Sequence, residues 1–475
     1  MNLRKTAEGA NQYTHTLDHI VEFFSKAGSI RTNKGRQTFY SDREEDLLRL
    51  FQSAWIVNNF DSMRLLMWLR DCRGGAGNRS GFRSCLEWLS IHAPNWVNAN
   101  VHLIPEVGRW DDLRILFNTP IKEKAVELWA NAIRENNGLA AKWAKRTDKE
   151  LQQQLRMNIG DFRRYLARQR KFNIQLVETQ MCNGLWREVN YPTVPSVAMA
   201  RYTNAFTNHD QERFQTFKNR VSTGEAKINA SVLFPHDCVL TAIYGDRQTA
   251  DLQFNALPNF IETNEKVICI CDTSGSMTSK VGNSNNLQAV HISQALSLYC
   301  SDRIGEGNPF YKKFIGFCSE GRFVDWSRLT FSQAVNNFAI FDGAVGSTRI
   351  DKALDLILNT ASFFNLPPEN MPSMLLILSD MQFHSGWSSG VAEGTGTEVE
   401  RAMQRWNAAG YKTPKIVYWN LVGYAGSPAT VDTPNTGLVS GFSPAILNAV
   451  LNGEDFTPRG IMYKALEKYN NVVTP

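Results

Sequence analysis

The sequence predicts an α + α/β molecule in two parts: an all-α module over residues 1–260, then an α/β unit with a mostly parallel sheet over residues 261–475. Three observations predict it. Residues 1–260 carry 35 basic against 27 acidic side chains, a balance of +8, whereas residues 261–475 carry 16 against 19, a balance of −3. Eight of the twelve Trp residues fall in the first part. Near Leu257 and Pro258 the apolar rhythm also changes, from successive helical stretches to short apolar runs alternating with helices.

In the first part, Ser41 to Glu44 forms a capping-box-like start ahead of Leu47, Leu48, Leu50, Phe51, Ala54 and Trp55 at helical spacing. Phe60–Leu69, Phe82–Ile91, Trp110–Phe117 and Glu123–Ile133 repeat the theme, with Gly, Pro or Asn between them. Ala140 to Ile174 reads as one more helical stretch, and Tyr191 to Pro195 breaks the chain. Helix throughout is the expectation. Successive helices of about 10–15 residues with short links predict stacked helix pairs of the HEAT or armadillo kind, in a ring or horseshoe.

The second part alternates. Lys266–Cys271, Lys312–Cys318, Ser373–Leu378 and Lys415–Leu421 are apolar β runs, and Leu287–Asp302, Ile350–Thr360 and Glu398–Ala409 are helical. Strands apolar on both faces indicate a mostly parallel sheet covered by helices. The total of 475 residues, net charge +5, with 43% hydrophobic and 20% charged residues, excludes a largely disordered chain. A mean hydropathy of −0.32 and no 18-residue apolar run argue against a membrane span. Met1–Leu50 lacks a secretory pattern, so an intracellular, cytoplasmic protein is expected. Eight cysteines are too few for a disulfide scaffold, and Cys269 and Cys271 lie inside an apolar strand with no second pair to complete a zinc site, so reduced core thiols are expected.

The densest chemistry follows the first strand of the α/β unit. Asp272-Thr-Ser274-Gly-Ser276 puts one carboxylate and two hydroxyls on a tight loop. Gly346-Ser-Thr348, ahead of the helix at Ile350, and Ser379-Asp380, after the strand Ser373–Leu378, can reach the same sheet edge, where such sheets bind ligands. Asp272, Ser274, Ser276, Thr348 and Asp380 are oxygen donors, the set that Mg²⁺ takes with water completing an octahedron. A single Asp/Ser loop is more often a helix cap; three in this order favour a cation.

An enzyme reading would use Asp272 and Asp380 as acid and base, or Ser274 as nucleophile. A serine nucleophile needs an adjacent base. His291 and His384 are the only histidines of this part, and His384 reads as an exposed loop residue. A two-metal hydrolase wants a richer acidic cluster. No catalysis is expected.

The donor pattern resembles the metal-ion-dependent adhesion site of von Willebrand factor A domains, in residue type, chain order and position relative to strands. The resemblance implies a Rossmann-like domain with Ser274, Ser276 and Thr348 on Mg²⁺ or Mn²⁺ and with Asp272 and Asp380 acting through water. It also implies an open coordination position that a partner's carboxylate fills.

In the first part, Leu69 to Arg79 is a Gly-rich, Arg-rich link between helices. Its glycines permit left-handed backbone and amides turned to an anion, but no strand precedes it and no G-K-[ST] ends it. An inter-helix corner with Arg–Asp pairing is the plainer reading. Gly108 to Asp112 puts Asp111 and Asp112 at a helix start, where they suit the dipole.

LRDCRGGAGNR (69–79), PEVGRWDDL (105–113) and YPTVPSVAMARYTNAFTNHDQERF (191–214) resemble the helical-repeat module of the Ro autoantigen (TROVE) family, which joins a HEAT-like ring to a von Willebrand A domain in this order. CDTSGSM (271–277), LSDMQF (378–383), YWNL (418–421) and GLVSGFSPAIL (437–447) are more specifically similar to a related family of large DNA viruses, phages, bacteria and plants. The resemblance runs from about residue 40 to the end. It implies RNA binding, since Ro proteins bind misfolded and small structured RNAs through the ring.

Residues 142–171 carry ten basic against three acidic side chains, with Tyr165 and Phe172 interleaved. Lys142, Lys145, Arg146, Arg163, Arg164, Arg168, Arg170 and Lys171 are the candidate RNA contacts. Cations on phosphates supply salt-dependent affinity and aromatics stack on unpaired bases; a merely solvated basic face is an equal alternative. The sequence thus predicts a non-catalytic, monomeric RNA-binding protein with a Mg²⁺ or Mn²⁺ site and no membrane contact. The alternative is a metal-dependent protein-interaction or assembly module, viral or phage, with no RNA role.

Overall fold

The computed structural model describes residues 3–30, 43–281, 286–337, 346–384, 396–424 and 426–475. The capping-box-like start at Ser41 lies outside them. The chain opens not with helix but with an antiparallel hairpin, β1 (Leu3–Lys5) and β2 (Asn11–Tyr13), in which Leu3 pairs with Tyr13 and Lys5 with Asn11. This corrects the expectation of helix throughout residues 1–260. The helix His19–Ala27 follows, capped by the Asp18 carboxylate, which accepts from the N–H groups of Ile20 and Val21.

Helices Arg43–Val57, Asn59–Arg70, Arg79–His92 and Lys122–Arg134 lie where the apolar spacing placed helices, and Trp110–Asn118 is a 3₁₀ stretch. Neighbours in sequence pack on one another. The run 140–174 is not one helix but falls within three: Gly138–Trp143, Lys149–Gln154 and Ile159–Asn173. Local side chains end each turn. Asp148 Oδ2 accepts from the Lys145 N–H, Asn158 Oδ1 accepts from the Asp161 N–H at 2.9 Å, and Arg156 sits at φ 54°. Such bonds offer the backbone an alternative to the helical ladder.

Six strands form the sheet of the second part: β3 (Val267–Asp272), β4 (Lys313–Phe317), β5 (Gly321–Asp325), β6 (Met374–Ser379), β7 (Lys415–Asn420) and β8 (Thr436–Ser440). Their spatial order is β5-β4-β3-β6-β7-β8, parallel except for the β4–β5 edge pair. Counted from β3 this is 3-2-1-4-5-6, a doubly wound order whose direction reverses between β3 and β6. Val267, Cys269 and Cys271 face one core and Ile268 and Ile270 the other, which explains why β3 reads as an unbroken apolar run.

The two cores differ in what they join. The face bearing Ile268 and Ile270 is covered by the helices Ile350–Phe363 and Glu398–Ala408. The opposite face shares one continuous interior with the first part, running from Phe23, Trp68 and Trp129 through Cys271 and Trp419 to Leu466. The helix Pro235–Tyr244 packs on Ala289–Arg303, and His19–Ala27 packs on β8. A separate small core gathers Tyr191, Phe206, Phe214 and Phe217. All eight cysteines are free; five are buried, but Cys182 is exposed and Cys72 and Cys318 are half-buried, so these three are not core thiols.

Candidate functional site

The carboxyl ends of β3 and β6 are adjacent at the point where the strand order reverses, the place at which open α/β sheets bind ligands. Asp272 ends β3 and Asp380 follows β6, both fully buried. Ser379 Oγ donates to Asp272 Oδ2, tying the two strand ends together. The Ser274 N–H donates to Asp272 Oδ1 at 2.9 Å, folding the D-x-S-x-S loop back on its own carboxylate, and Ser274 Oγ and Ser276 Oγ are hydrogen-bonded at 3.1 Å. The Gln382 N–H donates to Asp380 Oδ1 at 3.0 Å.

Thr348 joins them from the third loop. The His384 N–H donates to the Thr348 carbonyl at 2.9 Å, which pins that loop beside the segment following Asp380. Thr348 is fully buried, and among the described residues its hydroxyl has no hydrogen-bond partner. A buried hydroxyl left so costs free energy.

Electrostatics point the same way. Burial, and then the nearby charge of Asp380, push the Asp272 carboxyl well above its ordinary range, despite the bonds from Ser379 and Ser274. Two buried carboxylates and converging hydroxyls are a donor set that a hard cation satisfies. Among the described residues no three His, Cys, Asp or Glu side chains gather as a metal cage, so any cation here would rely on hydroxyls and water for half its shell or more.

One contributor escaped the sequence reading. The turn between β1 and β2 brings Glu8 to this loop cluster, where its Oε2 accepts from the Thr348 N–H at 3.2 Å and lies 3.4 Å from His384 Nδ1. Nothing in the local sequence Thr6-Ala-Glu8-Gly-Ala10 signals the contact, which spans 340 positions. His384 is therefore not simply an exposed loop residue.

The basic candidates divide. Helix Ile159–Asn173 buries Phe162, Leu166 and Gln169, which turns Arg163, Arg164, Arg168 and Lys171 outward on one face. Phe172 is exposed beside them, with the Arg168 guanidinium 6.0 Å from its ring. Arg164 pairs with Asp161 but stays largely in solvent. Lys145 and Arg146 are also exposed. Arg170 differs: it donates to the carbonyls of Ala141 at 2.9 Å and Ala144 at 2.5 Å, capping the end of the helix Gly138–Trp143, and burial followed by repulsion from Arg146 lowers its pKa. Lys142 is half-buried with its ammonium 5.8 Å from the Trp143 ring.

The Gly-rich link and the Asp pair prove to be one structure. Asp112 accepts from Arg70 Nε at 2.8 Å and Arg83 Nε at 2.6 Å, Asp111 pairs with Arg79 and Arg109, and Asp71 accepts from Lys468 and from Tyr469 Oη. Arg70, Arg79, Arg83 and Arg109 are held by carboxylates rather than turned to an anion.

Among the described residues no helix is long and apolar enough to cross a membrane. A family model described as Domain of unknown function (DUF2828) matches residues 6–155 and 130–269, and one described as Domain of unknown function (DUF7788) matches residues 266–471. An uncharacterised protein of Acanthamoeba polyphaga mimivirus is 24% identical over 532 aligned positions, spanning 98% of this chain and 88% of that protein. The crystal structure of the Ro (RSR) protein of Deinococcus radiodurans overlaps 95% of this chain and 99% of its own, at 13% identity and a TM-score of 0.41.

Proposed function

This chain belongs to the family described as Domain of unknown function (DUF2828), and we propose that it is a non-catalytic RNA-binding protein whose α/β part holds a divalent cation. The observation that carries the RNA reading is the outward face of helix Ile159–Asn173, where Arg163, Arg164, Arg168 and Lys171 stand beside the exposed ring of Phe172. Cations for phosphates next to an aromatic platform for a base suit single strands and loops. The motifs at 69–79, 105–113 and 191–214 that resemble the Ro (TROVE) module support the same reading, with the helical part taken as a HEAT-like array.

The α/β part reads as a von Willebrand A-like domain. Its 3-2-1-4-5-6 order and the cluster at the switch point support this. Asp272, Ser274, Ser276, Thr348 and Asp380 would hold Mg²⁺ or Mn²⁺, and the unpartnered Thr348 hydroxyl favours a ligand there. The cation would supply a positive charge to two buried carboxylates. In the second reading, that cation captures a partner's carboxylate and RNA has no part.

Filter binding of labelled single-stranded and hairpin RNA decides between them. RNA should bind at low salt and weaken steeply between about 50 and 200 mM. No binding at the lowest salt sinks the RNA reading and leaves the interaction module.

A further inference from the structure

We infer that a cleft where the two parts of the chain meet is a nucleotide site, which takes a nucleoside monophosphate either free or as an unpaired unit of an RNA strand. Such a site is separate from the basic face of helix Ile159–Asn173 and does not depend on it.

Two helix faces form its walls. Helix Leu447–Asn452 presents Asn448, Ala449 and Asn452, and helix Pro458–Leu466 with the turn after it presents Lys464, Ala465 and Lys468. Phe260, from the segment that joins the two parts, adds an aromatic ring to the lining. Alanine on both helices leaves space between them, and the cleft measures about 380 Å³. That falls within the range of about 300–1,000 Å³ usual for small-molecule sites, which favour junctions between domains.

The lining sorts by chemistry. Phe260, Ala449 and Ala465 offer apolar surface to a flat ring. Asn452 Nδ2 donates to Asn448 Oδ1 at 3.2 Å, which leaves the Asn448 amide nitrogen and the Asn452 amide oxygen as a neighbouring donor and acceptor. Both side chains are exposed. The edge of a nucleobase carries the complementary pair. Lys464 and Lys468 add two ammonium groups, with side chains 37% and 44% exposed. Lys464 bonds Glu467 at 2.7 Å and Lys468 bonds Asp71. An ammonium has three donors, so each keeps donors for a phosphate. Gly74 of the Gly-rich link leaves room for this, since a Cβ there would collide with Lys468 Nζ. Apolar walls for a ring, a donor and acceptor for its edge and cations for an anion together fit a base joined to a phosphate.

Calorimetry on the full chain with AMP, GMP, CMP and UMP tests this, with labelled single-stranded RNA as a second arm. Asn448→Leu removes the donor and should weaken binding of at least one of these probes about tenfold. Asn448 lies at the surface, so this variant should keep the wild-type Tm. Ala465→Leu fills the cleft and should weaken binding at least as much. Lys464→Ala should bring the affinity for the bound monophosphate down toward that for its nucleoside. Loss with a monophosphate but not with RNA assigns the cleft to a free nucleotide, and loss with RNA alone assigns it to a strand. No binding of any probe, or wild-type affinity in both cleft variants, overturns the site. RNA binding that survives both variants, with no monophosphate bound, overturns it while leaving the basic face of helix Ile159–Asn173 standing.

Discussion

Replacing Arg163, Arg164, Arg168 and Lys171 together by Ala should flatten the salt dependence of RNA binding by a calculable amount. Six of the basic candidates are exposed, these four together with Lys145 and Arg146. The ion pair of Arg164 with Asp161 is a surface contact that phosphate can displace at little cost. If each of the six neutralises one phosphate of a single strand, log K falls with log salt at a slope of about −4. A fourfold rise in salt then costs about 300-fold in affinity. The quadruple variant keeps two contacts, so its slope should be about −1.4 and the same rise should cost about sevenfold. Fluorescence anisotropy of a labelled single strand, from about 50 to 200 mM salt, reads both slopes. Phe172→Ala separates stacking from charge, losing about 1–3 kcal/mol of affinity with its slope unchanged. A quadruple variant that folds normally yet keeps the wild-type slope refutes this face as the RNA site.

Thr348→Val should not destabilise the cation-free protein, because it removes a buried unpartnered hydroxyl that costs about 1–3 kcal/mol. It should instead abolish any rise in Tm produced by Mg²⁺, and a large loss of stability without metal would reveal a protein partner for the hydroxyl. Asp112→Asn strands the buried Arg70 and should cost about 3–5 kcal/mol in urea unfolding. Burial alone would raise the Asp112 carboxyl, but Arg70 and Arg83 hold it below its ordinary value. Its contribution is therefore complete above about pH 4 and is lost as pH falls through the depressed value, so the variant should show a shallower loss of stability with acid than the wild type. Gly28→Ala should lower stability by about 1–3 kcal/mol although φ is −60° there, because a Cβ would lie 2.5 Å from the Ser440 carbonyl oxygen. An unchanged Tm would mean that the first helix and β8 pack less closely than this.

Much of the second part was legible because its physics is local. Val267-Ile-Cys-Ile-Cys271 is apolar at every position, as a strand covered on both faces must be. The strands that were missed lack that mark. β5 is a half-exposed edge, and β8 is five residues interrupted by Gly437. The helical stretch read across 140–174 is divided into three helices although its apolar spacing continues, because Asp148 bonds the backbone of the turn before Lys149 and Asn158 caps the start of Ile159–Asn173. The hairpin at Leu3–Tyr13 carries no β signature, since its two strands are three residues each and are held mainly by contacts with residues 382–427.

Residue type and spacing alone determined the alternation of strand and helix after residue 261, the change of charge near Leu257, and the presence of oxygen donors after β3 and β6, because each depends on neighbours within a few positions. Only the tertiary structure decided which of those groups meet. It divided the basic run into an outward face and an Arg170 spent on carbonyls, since helix rotation is set by what the opposite face buries. It merged one face of the sheet with the first part into a single interior, and it set Glu8 beside Thr348. A contact spanning 340 positions leaves no periodicity in a chain, because it is created by two separately anchored loops rather than by either loop's own residues.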